Sequence, residues 1–183
     1  MHNIFSKNSR GFTLIEMTVS LGLFTIIIFV ATSAFLSVVN TDRKSRAVRV
    51  ATDNLNIALE DMSRRIKTGS TYYCGSVDTL GVGDCSSGGD TLFFTGQDTL
   101  RTNYTLVNNA IWRTIGSDPS VQVTSPEVNI TGLRFIVSGS ALFSSGNTEQ
   151  PKVVVAIDGS LGVGTASSTL KIETLITQRA YDN

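Results

Sequence analysis

Arg10-Gly11-Phe12-Thr13-Leu14-Ile15-Glu16 runs straight into an apolar stretch from Met17 to Val39 that holds no charged residue, and the next ionisable side chain is Asp42. As a helix rising ~1.5 Å per residue, that stretch reaches about 35 Å, more than the roughly 30 Å hydrocarbon core of a bilayer. Glu16 therefore stands at or inside the membrane boundary. A lone charge there costs up to about 3 kcal/mol on insertion scales. Such a carboxylate needs a partner.

The stretch resembles the leader and processing site of type IV prepilins and pseudopilins. A glycine, an aromatic residue and a glutamate all fall in place before an apolar span, and the likeness covers roughly residues 6 to 40. The resemblance implies cleavage between Gly11 and Phe12 by a prepilin peptidase, then N-methylation of Phe12 by the same enzyme. It also implies an assembly role for Glu16, whose charge would compensate the terminal amine of a neighbouring subunit within lipid. Other pilin or pseudopilin subunits, an inner-membrane assembly platform and membrane lipid are the expected partners. Two plainer readings compete. Glu16 could be an incidental polar residue of a signal anchor, or the run could be a secretory signal cut near Ala34. The apolar core is longer than the 7–15 residues usual for such signals.

Removing residues 1–11 leaves 172 residues, of which roughly 140 lie beyond the span, enough for one exported domain with a real core. Net charge is zero over the chain, and no basic face suggests nucleic-acid binding. Residues 42–67 carry seven basic and four acidic side chains, against six and ten in residues 68–183. Topology is contested by the charges themselves. Lys7 and Arg10 flank one end of the span, while Arg43, Lys44, Arg46 and Arg49 flank the other, so a positive-inside count alone puts the C-terminal domain in the cytoplasm. The cysteines point the other way. Cys74 and Cys85 are the only two, set in a glycine- and serine-rich stretch, and an isolated pair suits a disulfide in an oxidising space. With the resemblance, they favour a single-pass inner-membrane protein whose C-terminal domain lies outside the cytoplasm, at the cell surface or in the periplasm when assembled.

Beyond the span, Val48, Ala51, Leu55, Ala58, Leu59, Met62 and Ile66 recur at three- and four-residue steps, one apolar stripe of an amphipathic helix. Glu60 with Arg64 and Asp61 with Arg65 have the favourable i,i+4 order. Gly69 is placed to end the helix. No proline precedes Pro119, so nothing forces a break from Phe12 to Thr68. From there short β-like runs follow at Thr91–Thr95, Leu100–Val107, Ala110–Ile115, Val128–Val137, Lys152–Asp158 and Thr169–Thr177. Asn108-Asn109 suits a two-residue hairpin turn, and the alternation slips at Gly132, which predicts a bulge. Stretches 74–90, 138–150 and 159–168 read as surface loops. The expected fold is α+β: a leader (1–11), a hydrophobic transmembrane or filament-core helix (12–40), the amphipathic half of the same helix (41–68), and a β-rich exported head (69–183) with a mainly antiparallel sheet. The helix end from Leu59 to Ile66 and Thr177-Gln178-Arg179 also resemble J-type minor pseudopilins and related minor pilins.

Catalytic chemistry has little to work with. His2, the only histidine, lies in the leader, so processing removes the commonest general base, and no cofactor or metal site is expected. Gly81-Val82-Gly83 and Gly162-Val163-Gly164 belong to no phosphate-loop motif. Asp78, Asp84 and Asp90 could offer oxygens to calcium, but their six-residue spacing matches no EF-hand, and solvated acids are the expected reading. Trp112, alternating with Arg113, is expected in the core. The chain reads as a structural subunit of a type IV pilus, type II secretion or competence-type filament, and not an enzyme. The rival is a monomeric signal-anchored binding or adhesin domain, with an exported hydrolase a distant third.

Overall fold

The computed structural model describes residues 11–161 and 168–179. The chain divides into two units, Met1–Arg43 and Lys44–Asn183, and one helix, α1 (Leu14–Thr68), supplies residues to both. Nine strands follow: β1 (Ser70–Cys74), β2 (Cys85–Gly89), β3 (Thr91–Thr95), β4 (Arg101–Val107), β5 (Ala110–Ile115), β6 (Val121–Gln122), β7 (Val128–Ser138), β8 (Lys152–Leu161) and β9 (Ser168–Thr177). This is the expected α+β arrangement of one long N-terminal helix packed on antiparallel sheet.

The stripe on the second half of α1 is what docks it. Ala51, Leu55, Ala58, Met62 and Ile66 are buried, and Leu59 is half-buried against the same core. Ala51, Leu55, Met62 and Ile66 share one core with Tyr72, Phe94, Tyr104 and Ile111 from one sheet and Ile130, Phe135, Val155 and Ile157 from the other. Fully burying side chains of this size is worth about 1.5–3 kcal/mol each, so the helical period at 51–66 specifies which face turns inward.

The sheet is divided in two, which the sequence reading did not anticipate. One sheet has the order β1-β3-β4-β5-β6 and the other β2-β7-β8-β9, with every pairing antiparallel. Strands β1, β2 and β6 went unread, and β8 extends to Leu161 into a stretch read as loop. The reason is local: Cys85-Ser86-Ser87-Gly88-Gly89 has no apolar alternation, and β6 is only two residues long. Tertiary pairing, not propensity, makes β2 and β6 strands, whereas Ser70–Cys74 carries the Thr and Tyr residues that strands favour.

Other features follow the pattern. Asn108 and Asn109 both take positive φ (49° and 61°) between Val107 and Ala110, as a tight hairpin turn requires. The β7–β8 register shifts between Ile130 and Gly132, so Val128 and Ile130 before the bulge, and Leu133, Phe135 and Val137 after it, all point into the core. Opposite the bulge, a Cβ on Gly159 would stand 2.5 Å from the Asn129 carbonyl oxygen, so the close strand approach needs glycine there.

Two expectations are corrected, and a third, the helix end at Gly69, holds for a different reason. Gly69 follows the helix end but is not among the positive-φ glycines. It is required because a Cβ would lie 2.5 Å from Cδ2 of buried Phe94. The Ile66 carbonyl accepts the Gly69 N–H at 3.1 Å, and the Tyr72 hydroxyl lies 2.6 Å from the Ile66 and Gly69 carbonyls, its one proton shared between them. Arg64 pairs with Asp61 at 2.9 Å and not with Glu60. Finally, Trp112 is half-buried on the outer face, its Nε1 donating to the Val107 carbonyl at 3.1 Å. Arg113 takes the inner position beside Tyr104 because Asp61 of α1 receives its guanidinium at 2.7 Å.

Candidate functional site

Gly11, Phe12 and Thr13 precede the helix, and all three are exposed. Among the described residues nothing lies within 4 Å of where a Gly11 Cβ would stand, and its φ is not positive. Neither packing nor backbone geometry explains a glycine here. Phe12 is 77% exposed, an aromatic side chain offered to the surroundings.

Thr13 begins the helix. Its Oγ1 accepts the Glu16 backbone N–H at 3.3 Å, and its carbonyl accepts the Met17 N–H at 3.2 Å. That is an N-cap, with Glu16 at the third helical position. The spacing Thr13-x-x-Glu16 is that of a capping box, and an acid in the first turn also favours the positive end of the helix dipole. The sequence reading passed over this role of Thr13, although the signature was present.

From Leu14 to Val38 the side chains of α1 are exposed, among them Leu21, Phe24, Ile27, Val30 and Phe35. Three of the hydroxyls in this run bond within the helix. Thr18 donates to the Ile15 carbonyl at 2.9 Å, Thr25 to those of Leu21 and Gly22 at 2.8 Å, and Ser33 to that of Val30 at 2.9 Å. A hydroxyl bonded to its own preceding turn leaves little polar surface for an apolar solvent to reject. By length and composition the helix can cross a membrane. In sequence, Glu16 is the one charged residue from Gly11 through Thr41.

Residues 6–32 match the family model for the prokaryotic N-terminal methylation motif. The match spans Gly11, Phe12 and Glu16. It supports a type IV prepilin-like family for the chain, and the motif with the apolar helix fits a single-pass membrane-anchored protein. No curated protein and no solved structure matches the chain. The basic residues Lys7 and Arg10, and His2, lie outside the described residues, as does Gly162-Val163-Gly164.

Downstream of the motif, several polar groups of the head brace its structure. Cys74 and Cys85 form a disulfide with Cα atoms 6.1 Å apart, which ties edge strand β1 of one sheet to edge strand β2 of the other. The intervening segment is clasped on both sides. Asp78 receives Arg101 Nε at 2.9 Å and Nη2 at 2.8 Å, while Arg101 Nη1 also donates to the Thr71 carbonyl at 2.6 Å. Asp84 accepts from Ser140 N–H at 2.8 Å, Ser140 Oγ at 2.7 Å and Gly139 N–H at 3.2 Å. The Arg101 bonds hold the Asp78 carboxyl below the usual range against its burial. Burial pushes Asp84 up, but the Ser140 and Gly139 donors outweigh it and its pKa is lowered. Asp78 and Asp84 are therefore tethers, where the sequence suggested solvated acids. Asp90 is exposed, and among the described residues no group of three or more His, Cys, Asp or Glu could hold a metal ion.

Asp61 gathers Arg64, Arg65 and Arg113 at 2.9, 3.0 and 2.7 Å. Burial raises its pKa, and the hydrogen bonds from Arg64 and Arg65 with the charges of Arg65 and Arg113 more than reverse that, leaving it lowered. Tyr104 beside it is pushed up to about 12, by burial first and then by the Asp61 charge. Arg101 and Arg113 escaped the sequence reading because their partners lie 23 and 52 positions away.

Proposed function

We propose that this chain is a filament subunit, a minor pilin or pseudopilin of a type IV pilus, type II secretion or competence-type machine. The observation that carries the reading is the methylation motif set on an exposed glycine, three residues ahead of an apolar helix that runs on to Thr68. An exposed Gly11 that the fold does not require suits a residue selected by a peptidase. Cleavage after it frees the Phe12 amine for methylation. The cationic amine of one subunit then pairs with Glu16 of its neighbour in lipid, where either charge alone would be disfavoured. Apolar helices pack in the filament interior and the β-rich heads face outward. Partners on this reading are the prepilin peptidase and methyltransferase, other pilin subunits, an inner-membrane assembly platform and lipid.

The disulfide supports an extracytoplasmic head despite the basic residues after the span, since such bridges persist in oxidising compartments. The head acts as a structural element and not a catalyst: removing the leader takes away the sole histidine, and the acids with resolved roles brace loops and the helix.

The intact mass and N-terminal residue of the protein isolated from its native membranes test the proposal. A methylated phenylalanine at position 12 is expected, and Gly11→Ala should leave the leader attached. An intact Met1, or a cut elsewhere, rejects the filament reading in favour of a monomeric anchored binding domain.

A further inference from the structure

The longest sheet edge of the head is β9. It is the last strand of β2-β7-β8-β9, and all ten residues pair with β8 with no break in register. Among the described residues no other strand covers its far side, whereas the edges at β1, β2 and β6 are five residues or fewer. A long regular edge invites another strand unless charge, proline or a bulge blocks it. β9 has neither proline nor bulge. It has charge, in a particular order: Thr169, Lys171, Glu173 and Leu175 are all exposed and share the outer face, while Leu170, Ile172, Thr174 and Ile176 turn inward.

We propose that β9 pairs antiparallel with β9 of a second copy, about a two-fold axis through Ile172. A two-fold normal to the sheet keeps outer faces together, so each outward residue must oppose another outward residue. Centred on Lys171 or Glu173, the pairing sets like charges against each other. Centred on Ile172, it sets Lys171 opposite Glu173 twice, once for each copy. Directly opposite unlike charges stabilise a strand pair and like charges oppose it, so the charge order selects this register. Lys171 Nζ already lies 3.2 Å from Asp158 Oδ1 of its own chain, and both side chains are well exposed. In the pair it sits between that carboxylate and Glu173 of the second copy. Leu175, 61% exposed, then lies opposite Thr169 and loses part of its contact with water. The result is one continuous eight-stranded sheet across two heads.

The pairing does not rest on the filament reading. The test uses the full chain in detergent, followed by sedimentation across a concentration series. The wild type should dimerise reversibly. Lys171→Glu and Glu173→Lys should each weaken the dimer about tenfold or more, the scale of two opposed charge pairs. The double variant carrying both changes should associate more tightly than either single one. A wild type monomeric throughout overturns the proposal. So does equal association of all four proteins, which marks contact through the apolar helix, and so does a double variant no tighter than the singles. A methylated Phe12 alongside any of these failures retains the filament reading and rejects the β9 pair.

Discussion

Glu16 holds two positions at once, and they can be separated chemically. As the third residue of α1, behind the Thr13 cap, it completes a Thr-x-x-Glu spacing at a helix start. As the one charged side chain between Arg10 and Asp42 it is also the group that a neighbouring amine would need. Glutamine serves the capping position as well as glutamate but carries no charge. Glu16→Gln is therefore expected to insert and be cleaved normally, yet to yield several-fold fewer filaments in sheared cell fractions. Equal filament yield would leave Glu16 only its local role at the helix start. The capping spacing and the isolated charge on which the proposed pairing rests were both legible in the sequence, because each depends on spacing within a few residues. Gly69 shows the opposite case. Its place after the helix was readable, but its reason is a 2.5 Å approach to Phe94, a contact across 25 positions that no local pattern announces.

At the scale of elements, periodicity carried most of what was legible. The stripe from Ala51 to Ile66 and the slip at Gly132 are consequences of 3.6- and 2-residue periods, and both appear in the fold as read. What binds α1 sideways to the sheet is different in kind. Arg113 sits on an inward position of β5, where a hydrophobic residue would be expected, because Asp61 answers it from the helix. Asp61→Asn removes that answer and should cost about 1–2 kcal/mol at pH 7, the exposed Arg64 arm contributing little. The pH dependence follows from the lowered Asp61 pKa. A carboxyl whose folded value lies below its unfolded value adds its full stability above the ordinary range near pH 4, and loses it as pH falls from there through the folded value. Urea titrations of the two proteins should thus differ most at neutral pH and converge below about pH 4. A gap that stays constant down to pH 2 would place the effect in packing instead of charge.

Across the whole head, two sheets share one helix face, and they are joined covalently at their edges by Cys74–Cys85. The cysteines suggested a bridge from composition alone. That it links two sheets was not legible, because β2 becomes a strand only through its neighbours. Three ties converge on the segment between the cysteines: the disulfide, Asp78 on Arg101 of one sheet, and Asp84 on the turn after β7 of the other. Only the first of these constrains the unfolded chain. Closing a loop of this length limits the unfolded ensemble by roughly 3 kcal/mol in the chain-entropy model. The paired change Cys74→Ser with Cys85→Ser should therefore lower the melting temperature by about 6–12 °C, using roughly 2–4 °C per kcal/mol for a protein of this size. Because both aspartate tethers survive, the folded variant should still protect residues 75–84 from protease under native conditions. Adding Asp84→Asn to the serine variant should then open that segment to cleavage while β7–β9 stay resistant. If the serine pair alone exposes the segment, the disulfide holds the loop in the folded state and the tethers do not. If the melting temperature does not move, the bridge adds nothing that the two aspartates fail to supply.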